Sequence, residues 1–214
     1  LWGPRREPAS GGAAKQLVIL LHGLGADGND LIGLAPVLSQ VLPDAAFVSP
    51  HAPEPCDMAP MGYQWFSLQS REPADLLAGV EKARPLLDAY IDAQLAHYGL
   101  DDSKLAVIGF SQGTMTALHV LPRREKACAC ILGYSGILVA PEKLAAEVRS
   151  KPPVLLVHGD ADEVVPVGAL AGAEAGLRQA GFEVESLRRP GLGHGIDEEG
   201  LSRGAALLKR TLVP

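Results

Sequence analysis

Leu105-Ala106-Val107-Ile108-Gly109-Phe110-Ser111-Gln112-Gly113, followed by Thr114-Met115-Thr116-Ala117-Leu118-His119-Val120, is the stretch that decides how this chain folds. The apolar run Leu105–Ile108 reads as a buried strand and Thr114–Val120 as a helix. The pentapeptide between them has the form G-x-S-x-G. A strand that reverses into a helix within one or two residues strains its central residue, and only small flanking residues avoid a clash. Gly109 and Gly113 supply those flanks. Ser111 is then held at the carboxyl edge of a sheet, and the helix after it directs its N–H groups and positive dipole end toward a reacting oxygen. Ser111 is therefore the candidate nucleophile, and Gln112, next in the chain, offers a backbone N–H to an oxyanion hole.

A serine nucleophile needs a base and an orienting acid, expected later in the chain with the acid before the histidine. Pro153–Val157 reads as a short buried strand and ends in His158-Gly159-Asp160-Ala161-Asp162-Glu163. An acid just past that strand sits at the same sheet edge as Ser111. Asp160, Asp162 and Glu163 compete for the role, and spacing does not choose among them. Farther on, Gly191-Leu192-Gly193-His194-Gly195 places one histidine in a glycine-rich loop before the last helix, as the candidate base. The competing reading of His194 is a loop residue that caps the helix starting near Ile196-Asp197.

Near the front, Gln16–Leu21 is a continuous apolar strand leading into His22-Gly23-Leu24-Gly25-Ala26-Asp27-Gly28. The loop after an early strand supplies the second oxyanion donor in hydrolases of this architecture, and the Leu24 N–H is the candidate. The same glycines match the letters of a dinucleotide fingerprint. They lack the helix opening and the acidic residue at the ribose distance that such a site requires.

These four segments together resemble the phospholipase/carboxylesterase family of α/β-hydrolases, which includes the acyl-protein thioesterases. The resemblance runs from about residue 16 to 211 with the motifs in the family's order. It implies Ser111 as nucleophile, Asp162 as acid, His194 as base, and the Leu24 and Gln112 N–H groups as the oxyanion hole. Asp160 is left as a residue that stabilises its loop. Tyr63-Gln64-Trp65-Phe66-Ser67 resembles the family's aromatic segment, with Ser67 where Asp is usual. The proline-rich stretch Pro50–Pro60 is expected to overhang the site. Met58, Met61 and Trp65 are candidates to line an acyl pocket, with Val164 beside the acid as a further substrate contact. Phe66 is expected to be core.

The implied activity is hydrolysis of carboxylic ester or thioester bonds of small to medium acyl chains through an acyl-serine intermediate. A lysophospholipase, an acyl-protein thioesterase, or a hydrolase-fold binding protein without the chemistry are the alternatives.

The expected fold class is α/β: a single-domain α/β-hydrolase with a mostly parallel, doubly wound sheet, helices on both faces and no large cap domain. Alternating strands and helices from Gln16 to Leu212 carry that reading. A chain of 214 residues, 47% apolar, can bury one full core. Residues 1–14 read as a flexible leader and 15–214 as the catalytic domain. The net charge of −6 and the lack of a basic cluster argue against nucleic-acid binding. No run of about 18 apolar residues reads as a membrane span. Three cysteines do not make a disulfide framework; Cys128 and Cys130, two apart in an expected strand, should face one way, and a cytoplasmic location is the default. His22 and His158 read as structural, and the histidine spacings suggest neither a metal nor a cofactor. The partner is expected to be a small-molecule ester or thioester, with the protein a monomer or homodimer.

Overall fold

The computed structural model describes residues 1–213. Among the described residues there are nine strands and seven α-helices, beginning in the order β1 (Arg5–Arg6), β2 (Gln16–Leu21), α1 (Gly28–Ile32), α2 (Ala35–Leu38), β3 (Ala45–Val48), β4 (Glu54–Pro55) and β5 (Tyr63–Gln64). Then come α3 (Pro73–Tyr98), β6 (Leu105–Phe110), α4 (Gln112–Val120), β7 (Cys130–Tyr134), α5 (Pro141–Glu147), β8 (Val154–Gly159), α6 (Gly168–Gln179), β9 (Val184–Arg189) and α7 (Glu198–Leu212). Seven strands form one sheet in the order β1-β3-β2-β6-β7-β8-β9, while β4 and β5 make a separate hairpin. Within the seven-stranded sheet every pairing from β3 to β9 is parallel and β1 alone runs antiparallel; β4 and β5 pair antiparallel in their hairpin.

The inner strands β2, β3, β6, β7 and β8 are apolar without alternation because helices cover both faces, while β9 at the edge alternates. Successive residues of β2 enter different cores. Leu17, Ile19 and Leu21 pack with Val80, Leu87 and Ile91 of α3 and Leu118 of α4. Val18 and Leu20 pack with Leu31 and Leu38 of α1 and α2 and Leu207 and Leu208 of α7. A fully buried leucine of this kind contributes about 2 kcal/mol through its area alone.

β2 is followed by a crossover on the second face and β6 by α4 on the first, and the two strands are neighbours with Leu21 opposite Gly109. The chain therefore diverges at their carboxyl ends, which is where open α/β sheets bind ligands.

Three expectations are corrected. The N-terminal segment is not loose: β1 pairs with β3, and the Ser49 N–H donates to Pro4 O at 3.0 Å. An unpaired edge of β3 would leave its polar backbone open, and the segment closes it. Residues 31–41 read in the sequence as one helix, and the structure makes two short ones, because Pro36 has no N–H to continue α1 and instead sits in the first turn of α2. Cys128 and Cys130 enter opposite cores, since β7 begins only at Cys130 and strand alternation does not extend back to Cys128. Both thiols are buried, which pushes Cys128 well up and Cys130 up to about 12, so both stay protonated.

Candidate active site

Ser111 lies between β6 and α4 with φ 53° and ψ −114°, a strained conformation for a residue with a side chain. Its neighbours permit the turn. A Cβ on Gly113 would stand 1.9 Å from Leu21 O, and one on Gly109 would stand 2.6 Å from the Gly113 carbonyl. The Ser111 N–H is taken by Tyr134 O at 2.8 Å, and the Thr114 hydroxyl donates to Gly109 O at 2.7 Å, locking the turn from inside.

The candidate acid and base meet beyond the carboxyl ends of β8 and β9, at the same sheet edge as Ser111. His194 Nδ1 donates to Asp162 Oδ2 at 2.8 Å, and Asp162 Oδ1 accepts the N–H groups of Val164 and Val165 at 2.8 and 2.9 Å. Burial alone would raise this carboxyl; the bonds from His194, Val165 and Val164 outweigh it and hold the group below the usual carboxylate range. With Nδ1 directed at the Asp162 carboxylate, the imidazole presents Nε2 as the candidate proton acceptor. The ring rests against Phe110, with centroids 4.8 Å apart. The hydrogen bonds of the described residues include none between the Ser111 hydroxyl and His194, a looseness common in a resting site.

The other two acids are elsewhere. Asp160 accepts the Gly191 N–H at 2.7 Å and pairs with Arg188, so it ties the histidine loop to β8, while Glu163 is exposed. Capping of α7 falls to Asp197, whose carboxylate accepts the Gly200 N–H at 2.9 Å, and not to His194. The tight approach in this region is at Gly159, where a Cβ would stand 2.1 Å from Leu192 O; the glycines beside His194 have open space around them.

Ser111, His194 and Leu24 line one cavity of about 400 Å³. Its wall is mainly apolar: Leu68, Leu76, Phe110, Met115, Ile137 and Val164. The Leu24 N–H has no acceptor among the described residues, and Gln112 opens α4 next to Ser111, where a helix's first N–H groups lack intrahelical partners. The glycine loop carrying Leu24 is held by the hairpin: Gly25 N–H donates to Tyr63 O and Tyr63 N–H to Ala26 O, at 2.9 and 2.8 Å.

The expected acyl pocket is corrected in part. Val164 lines the cavity, but Trp65 is 1% exposed with its indole N–H on His22 O at 3.0 Å, which makes it core like Phe66. Met61 is 81% exposed and outside the cavity, as is Met58; both lie in the segment between β4 and β5. Leu68 and Leu76 take the place assigned to it.

Sequence reasoning used Gln112 only for its N–H. Its buried side chain accepts the Trp65 N–H at 2.9 Å and donates to Phe66 O at 2.7 Å, so one residue joins the serine turn to the aromatic segment. A side-chain amide carries an acceptor oxygen and a donor nitrogen on one rigid group, which serves both bonds, and a Gln in the G-x-S-x-G pattern is the signal for it. His22 is structural, donating from Nδ1 to Gly23 O at 2.7 Å and accepting the Ala52 N–H at 3.0 Å; burial holds it below its ordinary value and keeps it neutral. His158 is more closely engaged than expected, with Nε2 2.9 Å from Val165 O and 3.3 Å from Asp162 Oδ2.

The model of the phospholipase/carboxylesterase family matches residues 8–211. The chain belongs to that family. It is 34% identical to a probable carboxylesterase of Oryza sativa subsp. japonica over 92% of this chain and 78% of that one. It is 30% identical to acyl-protein thioesterase 1 of Schizosaccharomyces pombe, covering 85% of this chain and 84% of that one. The crystal structure of esterase PE8 superposes with a TM-score of 0.94 at 44% identity, covering 99% of both chains. The family fold is the α/β-hydrolase, and the seven-stranded sheet described above is its single domain here.

Proposed function

We propose that this protein hydrolyses carboxylic ester or thioester bonds of small to medium acyl chains through an acyl-serine intermediate on Ser111. The observation that carries the reading is the His194–Asp162 hydrogen bond at 2.8 Å, beside a cavity that the strained serine also lines. Ser111 Oγ attacks the carbonyl carbon as its proton passes to His194 Nε2. The Leu24 and Gln112 N–H groups hold the tetrahedral oxyanion, and Asp162 stabilises the imidazolium. The intermediate collapses as His194 returns the proton to the departing alcohol or thiol. Water then repeats the sequence on the acyl-enzyme and releases the carboxylic acid.

The apolar wall of about 400 Å³ supports an acyl group of modest length over a peptide. The thioesterase name of the Schizosaccharomyces pombe relative supports a thioester as a second leaving-group class on the same site. A cytoplasmic location fits three unpaired thiols, and no helix among the described residues is long and apolar enough to cross a membrane.

Intact-mass analysis after treatment with a fluorophosphonate tests the reading, with Ser111→Ala and His194→Ala as controls. One adduct on Ser111 that requires His194, with turnover lost in Ser111→Ala, is expected. Folded wild-type protein that takes no adduct is a hydrolase-fold binder instead. A series of p-nitrophenyl esters and matched thioesters then ranks acyl length and leaving group.

A further inference from the structure

The loop that carries the Leu24 N–H contains Gly23 and Gly25, the latter at φ +79°, so by itself it has wide backbone freedom. An oxyanion donor is useful only when it is held in place before the reaction. The ties that hold this loop lead away from the cavity, to the N-terminal segment.

Gly28, at the end of the loop, donates its N–H to His51 Nδ1 at 3.1 Å. The His51 ring also lies against Tyr63, with centroids 5.1 Å apart, and Tyr63 makes both backbone bonds to Gly25 and Ala26. His51 is thus the common support of both ends of the loop. What fixes His51 is residues 2–4. Its N–H donates to Trp2 O at 2.8 Å, and the Trp2 ring stands against the imidazole with centroids 4.2 Å apart. The backbones are in close contact: a Cβ on Gly3 would stand 2.2 Å from Ser49 O, and one on Gly28 would stand 2.0 Å from the same oxygen. Three segments therefore meet at Ser49, and each restricts the others.

Trp2 is 69% exposed, an unusual setting for a large aromatic whose only part is to bury area. Trp2, His51 and Tyr63 are all absent from the cavity wall, so any effect they have on catalysis passes through the loop.

We propose that residues Trp2–Pro4 act through His51 to position the oxyanion-hole loop, which makes Trp2 and His51 positioning residues of the reaction. The inference rests on the esterase reading. It predicts a loss in the transition state that the ground state does not share. Displacing an oxyanion donor by a fraction of an ångström lowers kcat by roughly 10- to 100-fold while leaving KM unchanged.

The experiment compares wild type with Gly3→Ala, Trp2→Ala, His51→Leu and His51→Asn. The readouts are kcat and KM on p-nitrophenyl acetate, the affinity of a trifluoromethyl ketone whose serine adduct mimics the oxyanion, and the thermal midpoint. The expected result is a fall in kcat of about tenfold or more in Gly3→Ala and His51→Leu at constant KM, with ketone affinity falling in proportion. His51→Asn should restore most of the loss, since its amide oxygen can accept the Gly28 N–H. A purely structural role would lower the thermal midpoint without separating kcat from KM and without rescue by asparagine.

Folded Trp2→Ala and His51→Leu proteins with wild-type kcat and ketone affinity overturn the inference. Trp2→Ala removes only a mostly exposed ring, so it decides the matter if Gly3→Ala does not fold. Wild-type protein that forms no fluorophosphonate adduct on Ser111 overturns the esterase reading, a result distinct from failure of the positioning role.

Discussion

His194 Nδ1 and Asp162 Oδ2 are 2.8 Å apart, and the carboxylate that receives this proton also takes two backbone N–H groups on its other oxygen. The acid is thus fixed by its own turn before the histidine reaches it. Asp162→Asn keeps an acceptor for the Val164 and Val165 N–H groups but offers the imidazole the wrong partner and tautomer. We expect kcat to fall by about 10⁴-fold with the fold retained. Asp160→Asn, measured beside it on the same ester, should lose little turnover; a larger loss there than in Asp162→Asn would reassign the acid.

Gln112 gives a stability prediction separate from its backbone role. Gln112→Leu removes the partners of the Trp65 N–H and the Phe66 carbonyl, both in a buried segment. Each orphaned group costs about 1–3 kcal/mol, so the urea midpoint should shift by the equivalent of roughly 3 kcal/mol. Linear extrapolation of urea melts checks it, and a change under about 0.5 kcal/mol would mean the segment finds other partners.

The cavity wall predicts selectivity. Ile137 and Met115 line it, so Ile137→Trp should lower kcat/KM for longer p-nitrophenyl esters far more than for the acetate. Met61→Ala should leave the whole series unchanged, since Met61 stands outside the cavity and is 81% exposed. A shift in chain-length preference in the Met61 variant would restore the hairpin to the acyl site.

His119 predicts how stability depends on pH. It is 1% exposed on α4, and burial, followed by the charge of Arg123, lowers it from 6.5 to about 4, with Glu81 3.2 Å from Nε2 acting against the shift. The folded ring therefore resists a proton that the unfolded chain accepts at the ordinary value. As pH falls from 6.5 toward about 4 the unfolded state binds more protons and stability declines; below that window both states are protonated and this contribution stops changing. His119→Leu should lose less stability than wild type across that window, read as the difference in urea midpoint between its two ends. Parallel losses in the two proteins would place the acid sensitivity in the carboxylates.

The parts of this protein that are local in sequence were legible there. The Ser111 turn is encoded by five consecutive residues, because the strain at the serine and the space at Gly109 and Gly113 are short-range effects. The β-α alternation and the apolar strands specified a doubly wound sheet for the same reason: burial on both faces leaves a continuous apolar run.

Other assignments depended on groups distant in the chain. Spacing does not choose between Asp160 and Asp162, two residues apart; the family resemblance favours Asp162, and the structure supplies the physical difference, His194, 32 residues beyond Asp162 and 2.8 Å from its carboxylate. Trp65 carried the composition of a pocket residue, yet the nearby His22 carbonyl and the Gln112 amide draw it into the core. Residues 1–14 have the prolines and glycines of a loose segment, and no local rule indicates that β3 presents an open edge to them or that His51 waits beneath Trp2. The sequence alone determined the sheet, the strained serine and the order of the candidate catalytic groups, since those follow from backbone sterics and burial within short windows. Which carboxylate stands within reach of His194 and which side chains line the cavity were decided by the tertiary structure, because each depends on a hydrogen-bond partner or a close approach that only packing brings into reach.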